Sequence, residues 1–404
     1  MAAIQPVMRF EGWRVVRAAL VVAAFGWGVG FYGPPVFLHA VHESRGWPVA
    51  LVSAAVTTHF LLGALVVANL AALHRRLGLV AVTRAGGVAA ALGTLGWAVA
   101  PEPWLLFAAA AVSGAGWAAT GAAAINAMVS PWFERRRPAA LAMAYNGASL
   151  GGIVLSPLWV ALIAGCGFPA AAAMVGAAMA LTLWWLSGRH LRHGPEALGQ
   201  RPDGEAVAPA ASATAGQAPL ARPWRDRRFV LLAAASAVLL FAQIGLVAHL
   251  FSLLVPALGA GAAGLAMGMA TACAIVGRTA LGFVMPAGAP RRRVAAANAA
   301  VQVAGSLALL ASGGESLALL LLGVALFGLG LGNATSLPPL IVQQDFAASD
   351  RARVVALVTA TGQATYAFAP VAFGLLREGG AGAAVFAAAA LLQVLAVALF
   401  LRRA

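Results

Sequence analysis

Residues Gly188 to Arg228 read GRHLRHGPEALGQRPDGEAVAPAASATAGQAPLARPWRDRR, a run of Pro, Gly, Ala and charged residues with no periodic apolar face. Such a run is a flexible linker, and what flanks it decides the fold. Six apolar segments precede it, over 14–40, 48–73, 79–100, 103–129, 138–164 and 168–188. Six follow it, over 228–256, 262–287, 292–312, 316–343, 351–375 and 380–401. Each has about 20 residues or more, enough for a helix to cross a hydrocarbon core about 30 Å thick. The sequence thus predicts an all-α polytopic membrane protein of twelve transmembrane helices in two pseudo-symmetric six-helix bundles. The expected division is an N-terminal half over 1–188, a partly disordered cytoplasmic linker over 189–227 and a C-terminal half over 228–404.

Composition and charge agree with this. Of 404 residues, 62% are hydrophobic and only 9% charged, and the mean hydropathy is +0.89, far above that of a soluble domain. A formal charge of +14 would point to nucleic acid in a soluble protein, but its placement points elsewhere. All 26 basic residues are Arg. With the N-terminus in the cytoplasm, Arg45 and Arg377 fall in external loops, Arg278 falls inside a span, and the others lie in cytoplasmic segments or at helix ends facing them. This asymmetry orients the chain in the inner membrane with both termini cytoplasmic. The arginines then meet anionic lipid headgroups, and no nucleic-acid partner is expected. Arg9, Arg14 and Arg17 precede an apolar run too long for a secretory signal, so the first span is expected to stay uncleaved. Cys166 and Cys273 lack the spacing of a metal site or disulfide framework and are expected to pack as small residues.

The two halves carry an internal echo. A shift of 215 residues lays GFYGPPVFL (Gly30–Leu38) over GLVAHLFSL (Gly245–Leu253), and Arg136 and Gly147 over Arg351 and Gly362. One offset shared by separate places favours two related six-helix units.

Beyond patterning, the stretch SPWFERRRPAALAMAYNGASLGG (Ser130–Gly152) resembles the loop and fifth helix of the monocarboxylate and oxalate/formate branches of the major facilitator superfamily. GWGVGFYGPPVF in the first span, GLVAHLFSLL in the seventh, VGRTALG in the eighth and TATGQATYAFAP in the eleventh look like bacterial members of the same group. The resemblance covers most of the chain apart from the linker, and implies twelve helices working by alternating access. It also marks departures. Where the superfamily carries a G...DR.G.R signature after the second span, this chain has AALHRRLG. Arg76 and Gly78 fit, whereas Arg75 takes the acidic position and Ala71 that of a glycine. An Asp that animal-type carriers place four residues before the eighth-span Arg is Ala274 here, and their first-span Lys falls on Pro35. Only Arg278 carries over.

Arg278 falls near the middle of its predicted span, where a guanidinium costs about 2.5 to 3.5 kcal/mol on insertion scales. An acid four residues away would relieve it, but those positions are Ala274 and Gly282, and all twelve Asp and Glu residues fall in loops, tails or near helix ends. The missing anion is then expected to arrive as substrate, since a planar guanidinium matches a carboxylate bidentately. Hydrogen bonding of Arg278 to backbone carbonyls at a helix contact is the plainer alternative. Further expected substrate contacts are His59, His249, Tyr32, Tyr145, Tyr366, Asn146, Gln243, Gln363 and Asn333, each weighed against ordinary helix packing or interhelical hydrogen bonding. The offset maps Arg278 onto Gly63, one helical turn from His59. A gating or structural role is expected for Gly33 and Pro34, which bend the outer first helix. The same is expected of Arg76, Gly78 and Arg136 in cytoplasmic loops, and of Gly151 and Gly152, which let helices approach closely.

No paired carboxylates, activated nucleophile, metal-ligand cluster or phosphate loop is legible, so neither an enzyme nor a cofactor is expected. The expected function is secondary or facilitative transport of a small organic anion, a monocarboxylate foremost. Protons are a candidate coupling partner through His59 or His249, and the unit is a monomer. Efflux of a drug or toxic metabolite is the rival reading. It is weakened because Gly151 and Gly152 precede Pro157, where efflux carriers place the glycines after the proline. A membrane sensor that moves nothing is a third.

Overall fold

The computed structural model describes residues 10–204, 222–285, 288–378 and 382–402. The middle of the predicted linker therefore lies outside the described residues, as do residues 286, 287, 380 and 381 of the predicted spans. Among the described residues there is no strand. The helices are α1 (Gly12–Gly30), α2 (Gly33–Arg45), α3 (Val49–Leu77), α4 (Leu79–Val99), α5 (Pro103–Thr120), α6 (Ala122–Val129), α7 (Arg137–His190), α8 (Arg227–Val284), α9 (Arg291–Ala311), α10 (Leu317–Leu331), α11 (Asn333–Asp345), α12 (Ala348–Tyr366), α13 (Ala369–Glu378) and α14 (Ala383–Leu401).

Ten continuous helical segments among the described residues are long and apolar enough to span a membrane. Two of them are double. Within α7 the chain reverses at Gly167 (φ 80°, ψ 160°), and within α8 at Gly259 (φ 73°, ψ 160°). Positive φ with extended ψ is a conformation glycine alone adopts freely, so each reversal joins two passes with almost no loop, which brings ten to twelve. Four passes are interrupted near their centres instead, between α1 and α2, α5 and α6, α10 and α11, and α12 and α13.

Small residues set the packing inside each half. On α7, Gly147 and Gly151 lie one turn apart, and a Cβ on either would run into the carbonyl oxygens of Leu20 and Ala24 on α1. Backbones meeting this closely gain dispersion contact that lipid cannot replace. Under the 215-residue shift the same pair of passes meets again, with Gly362 of α12 against Leu240 of α8.

The halves touch each other at one end only. Away from the termini, the N–H of Ala50 donates to Glu378 Oε1 (2.8 Å), and that of Val371 to Thr57 Oγ1 (3.2 Å). The rings of His39 and Phe251 lie 5.2 Å apart, and Gly264 and Gly268 of α8 face Val160, Pro157 and Ile153 of α7. Further in, the Phe60 and Tyr366 rings meet across the seam (5.9 Å), and Thr271 of α8 lies against Gly152 of α7. Beyond that depth, toward the end that carries the termini and the linker, α3 packs along α13 but only grazes α12. A cleft opens between the halves at that arginine-rich end.

The described start of the linker is tied to the N-terminal half. The Asp203 carboxylate accepts the backbone N–H groups of Glu134 (3.0 Å), Arg135 (2.7 Å) and Arg136 (3.2 Å) ahead of α7. Asp203 adopts φ 61° to do so, a conformation that Asp tolerates better than most residues. Desolvation alone would raise its pKa. The three N–H bonds, helped by the Arg136 charge, outweigh that and hold it below the usual aspartate value. Because the pKa is depressed, the tie is complete above the ordinary aspartate pKa of about 3.9 and is lost as pH falls through the lower bound-state value.

Two outcomes follow from this packing. Gly147→Val should destabilise the protein by about 1–3 kcal/mol through overpacking, seen as a lower unfolding temperature in detergent. Gly165→Ala, with no atom near its Cβ position, should leave that temperature unchanged. Asp203→Asn at pH 7 should speed tryptic cleavage after Arg135, at the backbone that Asp203 holds, several-fold, and an unchanged digestion rate would mean the tie does not hold this loop.

Candidate functional site

The site is built around interrupted helices and the carbonyls they leave unpaired. Pro34 has no N–H to give the Gly30 carbonyl four residues earlier. His59 of α3 takes that carbonyl instead, Nε2 lying 2.9 Å from it. Facing a carbonyl, Nε2 is the protonated nitrogen. The other ring nitrogen, Nδ1, is then an acceptor for the Ser113 hydroxyl at 2.8 Å, whose oxygen in turn accepts Trp97 Nε1–H (3.2 Å). The N–H groups of Phe31 and Tyr32 both turn to the Trp27 carbonyl (3.0 and 2.8 Å), which leaves the Gly28 carbonyl to Trp159 Nε1 (3.2 Å). His59 and Trp159 thus clamp the break in the first pass, and the break turns Phe31 and Tyr32 toward the seam between the halves.

The tenth pass is interrupted at Gly332, and here Arg278 completes the backbone. Its Nε donates to the Gly332 carbonyl at 3.1 Å. Arg278 sits six residues from the end of α8, about 9 Å along the axis. A helical side chain leans toward the N-terminus of its own helix, so the guanidinium swings back to the mid-depth of the tenth pass. A Cβ on Gly332 would lie 3.0 Å from the second guanidinium nitrogen of Arg278 and 2.6 Å from the Ala274 carbonyl. Only glycine leaves that space. The N-terminal half inverts the arrangement under the 215-residue shift. Gly63 stands where Arg278 does, and Trp117, at the position of Gly332, fills the gap against it. Among the described residues Arg278 makes no ion pair.

Tyr32 packs beside Thr271 of α8, the two meeting over Gly152 of α7; Thr271 is on the same pass that carries Arg278 about two turns further on. Gly152 leaves room for both, since a Cβ there would come within 2.7 Å of Tyr32 Cε2 and Thr271 Oγ1. From Tyr32 a chain of rings runs through the N-terminal half. Phe31 lies 5.0 Å from Tyr32, 6.2 Å from Trp117 and 6.4 Å from Phe60, and Trp27 lies 4.9 Å from Trp117 and 6.3 Å from Tyr145. Trp27, Phe31, Trp117, Tyr145 and Tyr366 remain partly exposed.

The other expected contacts fall into two groups. Near the cleft, Tyr145 OH donates to the Ala122 carbonyl (3.0 Å) at the break in the fourth pass; Asn146 is exposed and Gln363 half-buried. Away from it, His249 is wholly buried with Nε2 on the Pro370 carbonyl (3.0 Å). Gln243 donates to Gln302 (2.8 Å), and Asn333 to Asn298 (3.0 Å), as buried ties to the ninth pass. Gly33 abuts the Phe37 ring, and Pro34 opens α2. Arg76 is exposed beside Gly78 (φ 82°) in the turn between α3 and α4, and Arg136 belongs to the Asp203 tie. The four rings Trp27, Phe31, Phe60 and Trp117 are absent from the sequence reading. The available signal was that Trp27 and Trp117 fall inside predicted spans, away from the interfacial belts where Trp gathers. No metal-binding cluster occurs among the described residues.

The clamp is open to test. His59→Gln keeps an N–H within reach of the Gly30 carbonyl, whereas His59→Leu strands it, at a cost of about 1–3 kcal/mol. The Leu variant should unfold at a lower temperature than the Gln variant, and equal temperatures would rule the clamp out.

Comparison with known proteins agrees with this architecture. No curated protein matches the chain. Among solved structures it is similar to a mutant of the nucleoside transporter NupG, with a TM-score of 0.73 at 11% identity over 96% of this chain and 98% of that one. It is also similar to a bacterial homologue of the human lysosomal transporter Spinster in an inward-facing and occupied conformation. There the TM-score is 0.69 at 15% identity, over 96% of this chain and 95% of that one. Identities this low speak to the fold alone. The model of the Major Facilitator Superfamily, however, matches residues 18–370, most of the chain and both halves, and the protein belongs to that superfamily of transporters.

Proposed function

We propose that the protein carries a small organic anion, a monocarboxylate or close relative, across the inner membrane as a monomer by alternating access. Family membership supports transport. One observation carries the anion: Arg278 stands at the cleft with Nε on the Gly332 carbonyl and no acid paired to it. Its two terminal nitrogens keep the planar donor fork that a carboxylate accepts. On this reading Tyr32, Tyr145, Asn146, Gln363 and Tyr366 shape the site, while His59, His249, Gln243 and Asn333 hold the helices around it.

The arginine-rich end is cytoplasmic by the positive-inside rule, so the described state is the inward-facing one. An uncompensated guanidinium is costly to carry through a closed, dry intermediate, and a bound carboxylate neutralises it. Reorientation is then faster loaded than empty, which favours anion exchange over proton coupling. The nitrogens His59 Nε2 and His249 Nε2 that face backbone carbonyls fit that preference. Efflux of an aromatic drug is the second reading, favoured by the partly exposed rings.

Reconstitution in liposomes separates the readings, with labelled carboxylates, cationic drugs and nucleosides offered with and without a pH gradient. Carboxylate uptake should be accelerated by anion inside the vesicle. Arg278→Ala should weaken it by about 30-fold or more, and Arg278→Lys less. Carboxylate flux untouched by Arg278→Ala would remove the residue from the mechanism, and drug flux without carboxylate flux would establish the second reading.

A further inference from the structure

We propose that the carried anion has a flat aromatic body: the site is a slot for an aryl or arylalkyl monocarboxylate, with Arg278 gripping the carboxylate and the rings of the first, second, fourth and eleventh passes gripping the remainder. This rests on the anion reading above and narrows it.

Three observations carry the inference. First, the rings are continuous and begin on the pass that carries the charge. Tyr32 packs with Thr271 of that pass over Gly152, and Phe31, Trp117 and Trp27 follow at centroid separations of 5.0, 6.2 and 4.9 Å. Phe60 joins Phe31 at 6.4 Å and Tyr366 of the opposite half at 5.9 Å. Most of these pairs are edge to face, whereas Phe31 and Trp117 lie only 34° from parallel. Edges and faces are thus both offered, and a guest ring gains from them beyond its burial, in a way that an alkyl chain does not.

Second, the rings are partly exposed at mid-membrane. Trp27, Phe31, Trp117 and Tyr366 all retain accessible surface there. Partly open aromatic surface beside a charge is the lining of a small-molecule site, and a short acid such as acetate would leave it uncovered.

Third, the charge stands alone. Gln243, Gln302, Asn298 and Asn333 are paired among themselves as buried interhelical ties, which leaves Asn146 and Gln363 as the amides that remain accessible. Among the described residues Arg278 is the charged side chain at the Gly332 break, with no acid paired to it, which suits one carboxylate and leaves a second without a partner.

The test uses the full chain in liposomes and compares half-saturation for phenylacetate, benzoate, acetate and oxalate, with benzamide as the neutral ring. Phenylacetate or benzoate should half-saturate at least about 10-fold below acetate and oxalate. Trp117→Leu, and separately Phe31→Leu, should narrow that ratio to about 2-fold. Two variants are used so that one misfolded protein does not decide the matter, and intact folding is checked by unfolding temperature. Equal half-saturation for acetate and phenylacetate, or a ratio unaltered in a folded variant, overturns the aromatic slot while leaving anion transport in place. Transport of benzamide with no transport of any carboxylate overturns the anion reading itself, and the slot for a carboxylate with it.

Discussion

A backbone carbonyl in the middle of a membrane must be given a donor by the protein itself, because hydrocarbon supplies none and each unsatisfied group costs several kcal/mol. The central interruptions of this fold create that debt, and the side chains that settle it build the site. The Gly30 carbonyl, freed by Pro34, goes to His59; the Gly28 carbonyl goes to Trp159; the Gly332 carbonyl goes to Arg278. Each donor comes from a different pass than its acceptor, so the interruptions also lock neighbouring helices together. A kink that would weaken an isolated helix becomes a point of tertiary structure.

The same constraint separates what can be read from sequence and what cannot. Twelve passes are legible because hydropathy at about 20 residues per pass is a strong signal. Glycine reversals are less visible. Gly167 and Gly259 are two glycines among 46, and nothing local distinguishes them from Gly147 or Gly151, whose job is close packing. Arg278 is conspicuous as a charge in an apolar run, but its carbonyl partner lies 54 residues away at a helix break, and no spacing rule points there. The backbone contact weighed for it is found at Nε, while the terminal nitrogens carry no acid partner. His59 was equally balanced between ligand and packing, and its hydrogen bonds place it on the break. The rings Trp27 and Trp117 escape notice because apolar residues inside a span are expected to face lipid or core.

Rigid halves and a single seam make a plausible machine out of these parts. Within each half, glycines set helix backbone against helix backbone, as where Gly147 and Gly151 meet α1. Between halves glycines take part as well, Gly264 and Gly268 of α8 against α7 and Gly374 of α13 against α3, with side chains and a few hydrogen bonds beside them. These contacts hold the halves at one end only, so the seam, and not the interior of either bundle, is where the molecule can part and reclose.

The exchange of Gly63 and Trp117 for Arg278 and Gly332 under the internal repeat has a mechanical meaning. Most of the rings belong to one half and the guanidinium to the other. A molecule with only a ring or only a charge touches one bundle and leaves the other unengaged. A molecule with both is a strut between them, and its length and stiffness, as much as its affinity for either wall, decide how far the two bundles can be drawn together over it.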